Sequence, residues 1–249
     1  GPFICRQLIQ RLVTSNPSPA YVGRVAAVFN NNGAGVRGDL KAVWRAILLD
    51  DEARGAAGLT SLTHGKLREP MVRLYQWLRS FDCQSRSGSW LFDLGVGNPL
   101  TWYGQLPLAS PSVFNFFRPG YVPPGTALAA IGATAPEFQI INESSVSQWV
   151  NFIDDKNATC GVPSFGAWYD IYTNFVIEKP LASDLAALVR HLNLLLAAGQ
   201  ISTVTQQRIV EVLQLGGPVQ ANASDDHRRF RVIAAVTLVM SCAEYLVQK

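Results

Sequence analysis

Apolar side chains recur at helical spacing in the N-terminal part of this chain. Residues 4–13, 21–29 and 40–48 each place them three or four positions apart, which is the period of a helix with one buried face. Ser18 followed by Pro19 is the expected start of the second segment, because serine caps helices and proline suits the first helical position. The pattern therefore predicts three consecutive helices.

The same period returns further along the chain. It is visible at residues 71–81 behind Pro70, and it recurs at 185–196, 203–213 and 230–245. A shorter helix is expected from Ser145, which forms a capping-box pattern with Gln148, and Asp225 or Asp226 is the expected cap of the last helix. Strongly alternating stretches are missing, so the sequence predicts a mainly α fold.

The middle of the chain, residues 82–178, loses this period and collects proline, glycine and aromatic residues. Residues 105–125 alone hold five prolines, and proline has no backbone N–H and restricts the residue before it. The apolar residues among them predict a long ordered loop packed on the helices, and the aromatic run at 165–175 predicts a buried helix or a binding wall. We expect one domain over 1–249 with sub-parts 1–81, 82–178 and 179–249.

Composition and charge exclude several classes of function. The net charge is +3 with 16% charged residues, so the basic surplus typical of a nucleic-acid partner is missing. No apolar run is long enough to predict a membrane span. His64, His191 and His227 show no metal-ligand spacing, and the four cysteines form no C-x-x-C pair. Neither a metal nor a cofactor is predicted; buried thiols are the favoured state of the cysteines, and one long-range disulfide stays open.

One glycine-rich stretch matches a nucleotide-binding pattern. Residues 33–38 read G-x-G-x-x-G, but the dinucleotide fingerprint needs a preceding strand, and here a helix ending near Phe29 precedes it. We interpret the match as accidental. A modest alternative is an anion held at the following helix N-terminus with Arg37 and Lys41.

Several sequence blocks resemble the C-terminal portion of the bacterial domain of unknown function 1800 family. They are RQLIQRLVTSNPSPAYVGRVAAVFNNNGAGVRGDLKAVWRAILLDDEAR from Arg6, GKLREP from Gly65, PSVFNFFRPGYVPPG from Pro111, APEFQ from Ala135 and EYLVQ from Glu244. The resemblance implies a helix-rich fold and, because many members carry export signals, a periplasmic or secreted setting. Members are longer, so we expect this chain to be a fragment or a processed form that lacks an N-terminal half. The resemblance supplies no catalytic residues.

Carboxylates are the candidate catalytic groups of this sequence, because glycoside hydrolysis needs two of them about 5–9.5 Å apart. Glu137, in the Pro136 turn, is the first choice for one member. Glu143, Asp154 or Asp170 is the expected second member, brought in from another segment. The structural alternative is that Glu137 caps a helix or pairs with a nearby arginine, Arg118.

Aromatic residues in the middle of the chain are the strongest indication of a ligand, because flat rings with polar edges suit the faces of sugars. The candidates are Trp102, Tyr103, Tyr121, Trp168 and Tyr169. Trp102 and Tyr103, beside a glycine, are expected to be exposed. Phe114, Phe116 and Phe117 are expected in the core.

These observations lead to two hypotheses. The first is an exported helical protein that binds or hydrolyses a polysaccharide in an aromatic-lined cleft, and that would be a glycosidase if it is an enzyme. The alternative is a non-catalytic scaffold or interaction domain, whose proline-aromatic loop docks a partner protein or the missing N-terminal half. The alternative predicts a large apolar surface patch in place of a concave cleft.

Overall fold

The computed structural model divides the chain into two compact units. The first unit comprises residues 1–68, 111–140 and 247–249, and the second comprises residues 69–110 and 141–246. The structure describes residues 1–90, 104–105, 107–141, 143–159, 161–163, 169–220 and 222–249, with only the backbone described at 144, 155–159, 161–163 and 169. The fold is mainly α, as predicted.

Three helices build the first unit: α1 at Pro2–Leu12, α2 at Pro19–Asn30 and α3 at Leu40–Leu49. The Oγ atom of Ser18 accepts a hydrogen bond from the Tyr21 amide at 3.0 Å, so the predicted cap of α2 is confirmed. The apolar sides of the three helices form one core, which consists of Cys5, Ile9, Tyr21, Val25, Ala26, Val43 and Ile47.

Residues 50–65 are polar, rich in small residues and without an apolar period, which predicts a loop, but they contain two single-turn helices. They are α4 at Asp51–Arg54 and α5 at Ala57–Thr60. Helices of four residues are too short to show a period, which is why the apolar pattern missed them. Strand β1, Lys66–Leu67, then pairs antiparallel with β5, Val247–Gln248.

Residues 111–125 of the proline-aromatic segment belong to the first unit and have no helix or strand, as expected. The residues that follow contain α7 at Ala127–Ala130 and a 3₁₀ helix at Pro136–Ile140. Phe117 is buried, and the guanidinium of Arg11 lies 4.1 Å from the centre of its ring. Phe114 is exposed, so its expected place in the core was wrong.

The second unit holds the helices predicted for the C-terminal third and the helix behind Pro70. The helices are α6 Pro70–Ser80, α8 Glu143–Thr159, α9 Leu185–Ala197, α10 Thr203–Gln214, α11 Asp225–Ser241 and α12 Ala243–Leu246. A second 3₁₀ helix spans Lys179–Ser183. Their apolar sides share one core that includes Trp77, Trp149 and Tyr245.

Two helix starts differ from the expectation. Helix α8 begins at Glu143, so Ser145 lies inside the helix and does not cap it. Helix α11 is capped by Ser224, whose Oγ accepts from the amide of His227 at 3.2 Å. Asp225 and Asp226 occupy the first turn instead, where negative charge is also favourable.

Strands in the second unit replace part of an expected helix. β2 at Gln84–Ser85, β4 at Tyr169–Tyr172 and β3 at Gly161–Pro163 form an antiparallel sheet in the order β2-β4-β3. The helix considered for residues 165–175 is therefore wrong over residues 169–172. Tyrosine and isoleucine both favour strands, and the helical spacing of the aromatic residues did not decide the conformation.

Candidate functional site

A cleft of about 1050 Å³ opens in the first unit. Its walls come from the first turns of α1 and α2, from α4, and from the segment between α5 and β1. This volume lies just above the usual range for small-molecule sites, about 300–1000 Å³. The cleft is therefore large enough for an extended ligand.

Part of the cleft wall is apolar. Phe3, in the first turn of α1, is 69% exposed, and Pro17, Pro19 and Val22 also line the cleft. Proline has a fixed backbone angle and no backbone donor, so this wall is stiff and presents few hydrogen-bonding groups. The wall suits the flat, apolar face of a ligand.

A carboxylate, Glu52, is held in place on another part of the wall. Its Oε1 accepts from the Ser18 amide at 2.9 Å, and its Oε2 accepts from the Ser18 hydroxyl at 2.5 Å. The guanidinium of Arg24 lies 3.7 Å away. Because Ser18 also caps α2, the same serine positions both the helix start and the cleft carboxylate.

The neighbouring carboxylate, Asp50, anchors the start of α4. Arg24 donates to both of its oxygens at 2.8 Å, and these hydrogen bonds hold the pKa of Asp50 below its ordinary value. Tyr21 lies within the electrostatic reach of this group. Burial, and next the charges of Asp50 and Glu52, raise the pKa of the Tyr21 hydroxyl, which donates to the carbonyl of Ile47 at 2.6 Å.

A histidine, His64, lines the cleft beside these groups. Burial lowers the pKa of its imidazole, the carboxylate of Glu52 acts in the opposite direction, and the ammonium of Lys249 lowers the pKa further. A Cβ atom on Gly58 would lie 3.0 Å from the imidazole ring, so glycine at this position makes room for it. The cleft thus combines a carboxylate with an imidazole that favours its neutral form.

We predict that His64 makes the stability of the chain depend on pH. Its pKa is lowered in the folded state, so on acidification the unfolded chain binds this proton first, and the free energy of unfolding falls as pH drops below about 6.5. The test is guanidinium unfolding of wild type and His64→Gln at about pH 7.5 and pH 5.5. The substitution should flatten the pH dependence, whereas His227→Gln, on an exposed histidine, should not; equal pH profiles for all three proteins would contradict the prediction.

Among the predicted catalytic residues, Glu137 lies in the first unit but outside the cleft wall. It sits in the 3₁₀ helix, is 1% exposed, and its Oε2 accepts from the Ser15 hydroxyl at 2.7 Å. The Thr134 hydroxyl donates to the Ser15 carbonyl at 2.8 Å, and the Thr134 amide donates to Oδ1 of Asn16 at 3.2 Å. Asn16 lines the cleft, so Glu137 belongs to a buried network behind the cleft wall.

The other predicted carboxylates belong to the second unit. Glu143 and Asp154 are exposed on α8. Asp170 is buried in β4, where it accepts from the Ser85 hydroxyl at 2.8 Å and from the Ser87 amide at 2.7 Å. These bonds connect β4 to the end of β2 and to the turn that follows it. A catalytic pairing of Glu137 with any of the three stays a prediction.

Of the predicted aromatic binding residues, Tyr121 is the one whose side chain the structure describes. Tyr121 is half-buried in the first unit and does not line the cleft. Trp102, Tyr103 and Trp168 lie outside the described residues, as does the side chain of Tyr169. The aromatic residue that does line the cleft is Phe3, which the sequence did not single out.

Side chains already occupy backbone amides of the glycine-rich stretch at residues 33–38. Two asparagine oxygens accept its backbone amides at 2.9 to 3.2 Å: Oδ1 of Asn31 binds those of Gly33 and Gly35, and Oδ1 of Asn32 binds those of Ala34 and Val36. Amides that are already bonded do not cradle a phosphate. The geometry therefore supports the interpretation of an accidental match.

The described ranges lack both metal-ligand clusters and membrane-spanning helices. These residues contain no cluster of three or more His, Cys, Asp or Glu side chains that could hold a metal ion. Likewise, no helix there has the length and apolar character needed to cross a membrane. Cys5 and Cys242 are thiols whose pKa values are raised by burial, and Cys160 lies outside the described residues.

Comparison with known proteins gives one result. The family model described as protein of unknown function (DUF1800) matches residues 1–247 of the chain. The chain belongs to the DUF1800 family. No curated protein and no solved structure matches it. DUF1800 membership assigns no activity, so a function must be argued from the cleft itself.

Proposed function

We propose that this DUF1800 protein is an extracytoplasmic protein that binds a segment of a polysaccharide in the first-unit cleft. One observation carries the proposal: a single cleft combines the exposed ring of Phe3 with the polar groups of Arg6, Asn16, Glu52 and His64. A sugar ring has an apolar face of C–H groups and an edge of hydroxyl groups. An aromatic ring with nearby charged and amide groups matches both.

The charges of the cleft favour a ligand without strong charge. Arg6 is positive, whereas Asp51 and Glu52 are negative, so neither sign dominates the lining. The Glu52 carboxylate already accepts two hydrogen bonds from Ser18 and retains lone pairs for hydroxyl donors. A neutral oligosaccharide fits this mixture better than an anionic one.

Binding is a better match than hydrolysis for this cleft. Hydrolysis would need two carboxylates facing one bond, and the carboxylates of the cleft lining are Asp51 and Glu52. They follow each other in a helical turn, so their side chains point about 100° apart. Glycosidase activity would need a further acidic group from outside the cleft lining. We therefore propose binding as the function of the cleft.

The experiment titrates the chain with oligosaccharides from neutral and acidic polysaccharides and monitors binding by NMR. Phe3→Ala should weaken binding about tenfold, the effect of removing one aromatic contact worth about 1.4 kcal/mol. Val113→Ala is the control, because Val113 is 95% exposed in the same unit and lies outside the cleft. Reducing-sugar release is measured on the same samples. The absence of saturable binding, or equal affinities of the two variants, would overturn the proposal.

A second candidate function is a non-catalytic interaction domain. It is favoured by Val113 and Phe114, which are exposed within the proline-aromatic segment and are therefore available to a partner protein. This function predicts that Phe114→Ser abolishes binding of a partner whereas Phe3→Ala leaves it intact. The two candidate functions are thus distinguished by which variant, Phe3→Ala or Phe114→Ser, loses binding.

A further inference from the structure

Helix α3 carries an apolar row on its solvent side. Leu40, Trp44 and Leu48 follow at four-residue spacing and are 51%, 41% and 48% exposed. Val36, 52% exposed, continues the spacing in the preceding loop. The row borders the core side of the helix, where residues 43 and 47 are buried, because positions three or four apart share a face. The sequence pattern predicted one buried face over residues 40–48, but about half of each side chain in the row is left exposed by the packing of the first unit.

A basic row runs beside the apolar row. Arg37, Lys41 and Arg45 are exposed, also at four-residue spacing, and each directly follows a member of the apolar row. None of the three forms a salt bridge with a residue in the described part of the chain. Asp39 accepts from Asn32 and caps α3, and it attracts Lys41 only at longer range; Asp50 binds Arg24. The basic row is therefore exposed and available to an anionic surface.

The loop before α3 holds the start of both rows in place. The Asn31 and Asn32 side chains bond its amides, the Asn32 amide donates to the Val36 carbonyl at 3.0 Å, and the Gly38 amide donates to the Phe29 carbonyl at 2.8 Å. Gly33, at φ 94°, permits the turn. A surface that is ordered before binding loses little conformational freedom on binding.

We propose that the α3 face, defined by Val36, Leu40, Trp44, Leu48, Arg37, Lys41 and Arg45, docks on an anionic lipid surface. Basic side chains beside tryptophan and leucine are the composition of helices that lie in a membrane interface. The basic row would meet the lipid phosphates, and the apolar row would enter the boundary of the acyl chains. Charge complementarity therefore selects the occupant.

Two other occupants fit less well. A second copy of the chain would bring another three basic side chains into the same contact, and like charges repel. An acidic helix could lie in the groove of about 460 Å³ between α2 and α3, which is lined by Ala42, Ala46 and Leu49. The apolar row does not line that groove, so this partner would leave Leu40, Trp44 and Leu48 in water.

The docking surface is independent of the proposed carbohydrate function, because no residue of the α3 face lines the cleft. The test is sedimentation of the 249-residue chain with vesicles of phosphatidylcholine alone and with added phosphatidylglycerol. We expect binding to the anionic vesicles that weakens as salt is added. Lys41→Glu with Arg45→Glu should reduce binding at least about 25-fold, since each basic residue near such a surface contributes about fivefold.

A second variant, Trp44→Ser with Leu48→Ser, should reduce binding at least about tenfold, because it removes the two apolar side chains best placed to enter the lipid. The control is Val204→Ser with Arg208→Glu, which makes the same kinds of change on the exposed side of α10. Circular dichroism checks that all variants fold. Equal vesicle binding by the face variants and the control would overturn the proposal. Binding to a poly-glutamate helix without binding to anionic vesicles would overturn it as well.

Discussion

Replacing Trp149 by alanine is expected to lower the free energy of unfolding of the second unit by about 4 kcal/mol. Trp149 is buried in α8, its indole Nε1 donates to the carbonyl of Met240 at 3.0 Å, and its ring lies 5.9 Å from that of Phe152. Alanine would leave a cavity and remove the hydrogen-bond donor of a carbonyl on α11. The measurement is guanidinium unfolding followed by far-UV circular dichroism.

The partner of Trp149 makes this effect larger than packing alone. The guanidinium of Arg73 is buried and lies 4.2 Å from the centre of the Trp149 ring, and burial lowers the pKa of Arg73 to about 10. The π-face of the ring compensates part of the cost of burying this cation. In Trp149→Ala the buried cation would lose that compensation.

Three further variants separate the contributions. Trp149→Phe keeps a ring and loses the bond to Met240, so it should cost only about 1–2 kcal/mol. Arg73→Met removes the buried charge while filling a similar volume, and it should be close to neutral. The double variant Trp149→Ala with Arg73→Met should then cost less than the sum of the two single changes. Additive costs would show that the ring does not stabilise the guanidinium.

The helices of this protein can be predicted from the sequence because the spacing of apolar residues and the capping residues are local features. The apolar period located α1, α2, α3 and the helices of the C-terminal third, and Ser18 with Pro19 marked the start of α2. Local information also explains the errors. Asp225 and Ser224 are both good first-turn residues, and the choice of cap between them depends on backbone geometry that the pattern does not contain.

The cleft could not be predicted in the same way. Its polar groups, Asn16, Glu52 and His64, come from segments far apart in the sequence, and no motif links them. Phe3 drew no attention because one exposed aromatic residue on a helix is ordinary. Only the arrangement of α1, α2 and α4 brings these side chains to one cavity.

Burial is the second property that the sequence left open. The sequence offered Glu137, in the Pro136 turn, either as a catalytic acid or as a structural cap or ion-pair partner, and its pattern does not contain the burial of the side chain. In the structure the 3₁₀ helix turns this side chain inward, to the hydroxyl of Ser15. The same ambiguity affected Asp170, which is buried against Ser85 at the end of β2 and Ser87 after it.

Replacing Glu137 by alanine is expected to lower the free energy of unfolding of the first unit by about 3 kcal/mol. The buried carboxylate accepts the Ser15 hydroxyl at 2.7 Å, and a hydrogen bond to a charged group contributes about 1.5–3 kcal/mol. Alanine would leave that hydroxyl buried without its acceptor and would add a cavity. Glu137→Gln keeps the shape and one acceptor oxygen, so it should cost about half as much.

This pair of variants also decides what a loss of activity at Glu137 would mean. Glu143→Gln is the matched control, since Glu143 is exposed and the change should stay within about 0.5 kcal/mol. The unfolding curve and reducing-sugar release are measured on the same preparation of each protein. Activity lost by a Glu137→Gln protein of unchanged stability would assign the carboxylate to the chemistry and refute the structural role. Loss of stability without a specific effect on any activity would place Glu137 in the support of Ser15, Thr134 and the Asn16 wall of the cleft.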